Sequence, residues 1–224
     1  MQYKNIVKAK FVSRPNRFIA KVLLSDGTEE TVHVKNTGRC RELLLPGAEV
    51  YLEKAENPNR KTGYDLIGVH KPSLGVVNID SMAPNAVCGE WLQTQGFDLI
   101  RPEYTFGRSR IDFYMEKNGE KYLCEVKGCT LEIDGIGYFP DAPTERGIKH
   151  LQELAAASEQ GYRCMLTYVI PMEGVTEVRP NMETHPAYGE ALERAKQKGV
   201  DVVFLPCRVT ADSVTADPGA GRKV

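Results

Sequence analysis

Residues 110–128 read RIDFYMEKNGEKYLCEVKG, and the second half of the chain is organised around them. Asn118-Gly119 lies between two runs of alternating apolar residues. Both turn residues tolerate positive φ, so the stretch is expected to be a β-hairpin with a two-residue turn. That turn sets Lys117 opposite Glu120, Met115 opposite Tyr122 and Phe113 opposite Cys124. It also sets Asp112 opposite Glu125. A four-residue loop keeps the same partners, and a three-residue bulged loop shifts them. Strand alternation places Asp112, Tyr114, Leu123, Glu125 and Lys127 on one face. Ile111, Phe113, Met115, Tyr122, Cys124 and Val126 take the other, more apolar face, which is the expected core face.

Opposed side chains in a hairpin are about 4.5–5.5 Å apart at Cβ, and like charges there are destabilising. Asp112 and Glu125 therefore need a resolution. A shared proton would raise one pKa strongly. A divalent cation would favour both carboxylates ionised, and Mg²⁺ takes one or two carboxylates with waters and substrate phosphate. Lys127 projects beside the pair, where it could hold an attacking water or offset phosphate charge. The plainer alternative is a partly exposed hairpin with solvated charges.

A chain of 224 residues suits one large or two small domains. A hydrophobic share of 42% and a charged share of 26% are those of a soluble globular protein. No apolar run approaches the roughly 18 residues of a membrane span, and MQYKNIVKAKFVSRP lacks a continuous apolar signal core. The expected location is the cytoplasm. Six cysteines include no CxxC pair, which argues against zinc and redox motifs and for free, buried thiols. The net charge is −1, but residues 1–80 carry 13 Lys/Arg against 9 Asp/Glu, and residues 81–224 carry 16 against 21. The basic part could hold a polyanion and the acidic part a metal. A chance asymmetry is the plainer account.

Residues 1–80 are expected to be one all-β domain and residues 81–224 a second domain. The first has candidate strands at 5–12, 17–24, 28–35, 49–54 and 64–70. A short helix at 40–44 precedes Pro46-Gly47. Five strands with a helix after the third is the order of an OB barrel, which binds oligonucleotides or oligosaccharides on one face. Arg14, Arg17, Lys35, Arg39, Arg41, Arg60 and Lys61 fall at strand ends or loops and could track a phosphate backbone. Residues 71–80 read as a linker with a short extended piece.

From Pro84, the residues Val87, Glu90, Trp91 and Thr94 follow helical spacing. Glu90 lies among apolar neighbours and needs a partner, either an arginine or the Asp112/Glu125 site. Residues 130–139 contain Asp134-Gly135 and read as a bent strand pair. Thr144 is a fitting N-cap for a helix that ends before Gly161. Ile148, Leu151, Leu154 and Ala155 form its buried stripe. Arg146, Lys149, His150 and Glu153 fall on its polar side. Arg146 and the first-turn amides could bind phosphate. A strand at 163–170, a helix at 187–198, a strand at 200–205 and a loose tail complete the chain. The fold class is α/β (α+β, two-domain), an OB-like barrel followed by a mixed sheet flanked by helices.

A helix bearing Glu90, an acid on one strand and Glu-Val-Lys on the next resembles the PD-(D/E)xK nuclease superfamily. That resemblance implies Mg²⁺ or Mn²⁺ held by Asp112 and Glu125, a water placed by Lys127, and a helix acid in Glu90. Ile111 stands where that superfamily often has proline. Longer runs carry a second resemblance: RPNRFIAKV (14–22), VHVKNTGRCRELLLPGA (32–48), GRSRIDFYM (107–115), EVKGCTL (125–131) and FPDAPTERGIKHLQEL (139–154). On these the chain resembles the sugar fermentation stimulation protein A family over nearly its whole length. The family implies DNA binding, an OB-like first domain, a nuclease-like second domain and a link to regulation of sugar (maltose) metabolism.

The combined expectation is a DNA-binding (or RNA-binding) protein with a metal-dependent nuclease site. Asp112, Glu125, Lys127 and Glu90 would be catalytic. Asp112, Glu125 and the Val126 carbonyl would hold the metal. Arg14, Arg17, Arg39, Arg41 and Arg146 would contact nucleic acid. A non-catalytic DNA-binding regulator that keeps the nuclease fold as a scaffold is the alternative, and a sugar-binding barrel is a third reading. No helix-turn-helix is evident.

Overall fold

The computed structural model of the chain describes residues 1–107 and 109–223. Five strands open it: β1 (Ile6–Asn16), β2 (Ile19–Leu24), β3 (Glu29–Val34), β4 (Glu49–Lys54) and β5 (Tyr64–Lys71). They hydrogen-bond in the order β3-β2-β1-β4-β5. A parallel pairing of His33 with Asp65 and Val34 with Leu66 closes the ring. Closure removes the exposed strand edges that invite aggregation. Ala20, Val22, Val32, Val50, Leu52 and Leu66 fill the interior and are fully buried. This is the expected OB-like barrel.

Two local expectations change. Residues 40–44 form a single turn and no helix: Leu44 N–H donates to the Cys40 carbonyl at 2.9 Å, and the chain then reaches Pro46. Proline disfavours helical backbone in the residue before it, so the turn cannot propagate. The short extended piece expected within the linker is a sixth strand, β6 (Gly75–Asn78), antiparallel to β5, so the segment belongs to the barrel sheet and is no free linker. Asn78 N–H then donates to the Pro171 carbonyl at 2.9 Å, which ties the barrel to the second sheet.

The rest runs α1 (Ala83–Gln93), β7 (Leu99–Phe106), β8 (Ser109–Lys117), β9 (Glu120–Gly128), β10 (Leu131–Ile133), β11 (Ile136–Phe139), α2 (Glu145–Glu159), β12 (Arg163–Ile170), β13 (Val178–Pro180), α3 (Pro186–Gln197), β14 (Val200–Val209), β15 (Val214–Ala216) and β16 (Arg222–Lys223). The main sheet has the order β15-β14-β12-β9-β8-β7, with β16 also on β14. β9, β12 and β14 are parallel, and the other pairs are antiparallel. Strand β7 escaped the sequence reading because LIRPEYTF carries a proline. On this outer strand Pro102 costs no essential ladder bond.

The β8–β9 turn is as expected, with φ of 51° at Asn118 and 80° at Gly119. Phe113 pairs with Cys124 and Met115 with Tyr122. The expectation of one core face does not hold. Helix α1 covers Phe113, Met115, Cys124 and Val126. Helices α2 and α3 cover Leu123, Leu166 and Tyr168 on the opposite face. A strand in the middle of a crossover sheet is buried on both sides, so its apolar residues do not simply alternate.

The tail expected to be loose is attached as far as residue 223. β15 and β16 both pair with β14. Gly221 lies so close to Trp91 that a methyl group in place of its hydrogen would collide with the indole. All six cysteines are buried and unpaired, as expected. Among the described residues, no helix is long and apolar enough to cross a membrane.

Candidate active site

Asp112 lies on β8 and Glu125 on β9, each one residue beyond the last pair of the expected hairpin register. The paired residues run as far as Phe113 and Cys124. Beyond them Asp112 uses its side chain: Val126 N–H donates to Oδ2 at 2.8 Å. Its Oδ1 accepts from Asn85 Nδ2 at 2.9 Å. Asn85 belongs to α1, whose close approach depends on Gly128, because a Cβ there would lie 2.6 Å from Pro84 Cγ.

Glu125 is only 2% exposed. Its Oε1 accepts from Lys127 Nζ at 2.5 Å and also bonds His150 Nδ1. His150, on α2, is itself only 5% exposed. Its Nε2 accepts from Arg146 Nε at 3.3 Å. With Nε2 accepting, the neutral ring carries its proton on Nδ1 and donates it to Glu125. The other carboxylate oxygen, Glu125 Oε2, is buried and has no hydrogen-bond partner among the described residues. A buried carboxylate oxygen normally finds a donor, and leaving one unmade is costly.

The two acids differ electrostatically. Burial pushes the Asp112 carboxyl above its ordinary range, and the Glu125 charge pushes it further. The Val126 N–H and Asn85 oppose this. Burial also works to raise Glu125, but the His150 hydrogen bond and the Lys127 ammonium outweigh it and hold that carboxyl below its ordinary range. One acid is thus ionised readily and the other reluctantly, which is how neighbouring carboxyls take separate roles.

This donor set fits a hard divalent cation. It offers two carboxylates near enough that the Glu125 charge raises the Asp112 pKa, and one buried carboxylate oxygen with no partner among the described residues. Among the described residues, no three or more His, Cys, Asp and Glu side chains are grouped to hold a metal ion. A cation here would complete its shell with water, main-chain carbonyl and substrate oxygens, as Mg²⁺ commonly does.

Other expected site residues lie elsewhere. Glu90 is not brought to the pair: its carboxylate meets the Met1 main-chain nitrogen at 2.6 Å and is half-exposed. Asn85 is the α1 residue that reaches Asp112. The helix was read correctly, but Glu90 lies five residues beyond Asn85 and so about 140° around the axis. Arg14 is committed to the fold, since its guanidinium donates to the carbonyls of Asn36, Gly38, Arg39 and Arg17 at 2.7 to 2.8 Å. Lys35 is paired with Asp80 at 2.7 Å, and Arg60 with Asp65 at 2.6 Å. Arg17, Arg39, Arg41 and Arg146 are exposed. His150, expected on the polar face of its helix, instead turns into the site. A histidine beside three charged helix neighbours carries no local sign that its face meets a buried glutamate.

Two family models match the chain: "Sugar fermentation stimulation protein RE domain" over residues 82–213 and "SfsA N-terminal OB domain" over residues 12–79. The sugar fermentation stimulation protein homolog of Desulfitobacterium hafniense (strain DSM 10664 / DCB-2) is 51% identical over 219 residues, covering 96% of this chain and 95% of that protein. The homolog of Clostridium beijerinckii is 49% identical, covering 96% of both. Among solved structures, Pyrococcus furiosus SfsA in complex with Ca²⁺ matches with a TM-score of 0.85 at 24% identity, covering 99% of this chain and 96% of that one.

Proposed function

The chain belongs to the sugar fermentation stimulation protein family, and from that premise we propose that it is a nucleic-acid-binding phosphodiester hydrolase dependent on Mg²⁺ or Mn²⁺. The observation that carries this reading is the buried Oε2 of Glu125, without a hydrogen-bond partner among the described residues, together with the reluctantly ionised Asp112. Asp112, Glu125 and the Val126 carbonyl would hold the cation. It would supply positive charge to the phosphate and lower the pKa of a bound water. That the Pyrococcus furiosus relative is described with Ca²⁺, another oxygen-seeking ion, accords with this choice.

The chain's own groups do the rest. Lys127 donates to Glu125 and retains two further N–H donors with which to orient a water. His150 fixes the Glu125 carboxylate by donating to Oε1, which leaves Oε2 for the cation. Arg146 stands over His150 in the first turn of α2, where the helix end favours an anion, and would hold the substrate phosphate. Arg17, Arg39 and Arg41 would contact the strand from the barrel.

Plasmid and single-stranded DNA, incubated with Mg²⁺ or Mn²⁺, test the reading against Asp112→Ala and Lys127→Ala. Cleavage by the wild type and loss of at least a hundredfold in both variants are expected. Equal cleavage by all three proteins means a contaminant and removes the proposal. DNA binding that persists in EDTA, with no cleavage under any condition, supports instead a non-catalytic regulator of sugar (maltose) metabolism built on the same scaffold.

A further inference from the structure

A cavity of about 430 Å³ lies between the barrel and the main sheet. Its walls include Pro84, Gly128 and Thr144. Each is close in the chain to a site residue: Pro84 precedes Asn85, Gly128 follows Lys127, and Thr144 caps the helix that carries Arg146 and His150. The cavity is therefore walled by the elements that carry the Asp112/Glu125 pair, next to the contact of Pro84 with Gly128, although neither acid lines it. The barrel lines the opposite wall with Arg17, Thr37 and Gly38.

We propose that this cleft seats one unpaired base of a single-stranded nucleic acid, with the adjoining phosphate at Asp112 and Glu125. The proposal rests on the hydrolase reading and adds the strandedness of its substrate. Size comes first: the cavity lies within the range of small-ligand pockets, so it admits about a nucleotide and no double helix. Charge comes second. The acids of the cleft are Asp80 and Asp141. Asp80 is closed off by Lys35 at 2.7 Å and has no exposed side-chain surface. Asp141 Oδ2 accepts from Arg39 N–H at 2.9 Å, and Gly38 packs so tightly there that a Cβ would lie 2.5 Å from that oxygen. A phosphate would be repelled by Asp141. A neutral base carrying amino or imino N–H groups would be accepted, since carboxylates accept from such base edges. Half-buried Tyr138 gives the same wall an aromatic ring on which a base could stack.

The test uses the full-length protein with Ca²⁺ and labelled 20-mers checked on a gel for integrity. Binding by fluorescence anisotropy is compared for a single strand, its blunt duplex and an abasic strand of equal phosphate count. Free nucleoside serves as competitor. The single strand is expected to bind at least tenfold tighter than the duplex or the abasic strand, and nucleoside to compete only weakly. Ser81→Trp and Thr37→Trp each fill the cleft from an exposed lining position. Both are expected to lower single-strand affinity to the abasic level while Mn²⁺ binding and thermal stability stay at wild-type values. Equal affinity for the abasic strand, unchanged single-strand binding in both variants, or nucleoside binding as tight as the strand would each overturn the proposal. Base-dependent binding without cleavage in Mg²⁺ or Mn²⁺ would sink the hydrolase reading alone. Cleavage with base-independent binding would sink the cleft proposal alone.

Discussion

Asp112 and Glu125 are pushed in opposite directions, and their responses to pH differ in sign. Asp112 has a raised folded pKa, so its ionisation costs stability at neutral pH, and the cost fades as pH falls toward the unfolded value of about 3.9. Asp112→Asn is therefore expected to raise the metal-free Tm at pH 8 by about 2–4 °C, the range for roughly 1 kcal/mol in a chain of this size. That advantage should vanish on acidification, and the variant should lose the Tm increase that Mn²⁺ gives the wild type. Differential scanning fluorimetry reads all three. Glu125 has a lowered folded pKa, so its contribution is present above the unfolded value of about 4.3 and is lost as pH falls through the folded value. His150→Ala removes one of the two donors to this buried carboxylate and is expected to cost about 1–3 kcal/mol at pH 7 by urea unfolding. A variant as stable as the wild type would mean that His150 does not hold Glu125.

The elements place those side chains through two close approaches. Helix α1 reaches Asp112 because Gly128 lets Pro84 approach β9. Gly128→Ala would force the helix outward and carry Asn85 with it. Cleavage is expected to fall at least tenfold, with a Tm loss of only a few degrees, since the barrel and α2 are untouched. Helix α2 starts where Thr144 Oγ1 accepts from Gly147 N–H at 3.0 Å. Thr144→Ala should cost about 1 kcal/mol, measured by urea unfolding. It should also loosen the turn that carries Arg146. The hairpin that joins these helices through the site was legible in the sequence because Asn-Gly dictates a local geometry. The β7 strand was not, because proline disguised it and its place at the edge emerges only from the assembled sheet.

Across the whole molecule, the arginines divide by what the fold does with them. Arg14→Ala removes a clamp on four carbonyls and is expected to lower the Tm by several degrees. Arg17, Arg39 and Arg41 are exposed, and their alanine variants should keep the wild-type Tm. Each contact with a single-stranded phosphate that is lost should flatten the slope of log K against log salt by about 0.7. A stable Arg14→Ala protein with a flattened slope would reverse this assignment. The same sorting explains why basic residues at strand ends were a poor guide to binding. A loop arginine satisfies main-chain carbonyls as readily as it meets phosphate, and composition does not distinguish the two.

The sequence by itself determined the closed barrel, the hairpin register, the Thr144 cap and the carboxylate–lysine grouping of Asp112, Glu125 and Lys127. The hairpin register, the cap and the grouping follow from turn chemistry and strand period, which act over a few residues; the barrel was read from the order of its strands, and its closure rests on the distant pairing of β3 with β5. Only the tertiary structure decided that Asn85 rather than Glu90 meets Asp112, that His150 turns inward to Glu125, and that Arg14 is spent on carbonyls. Those outcomes depend on how a helix is rotated and which layer covers it. Packing energy summed over the whole core sets that rotation, and no local run of residues encodes it.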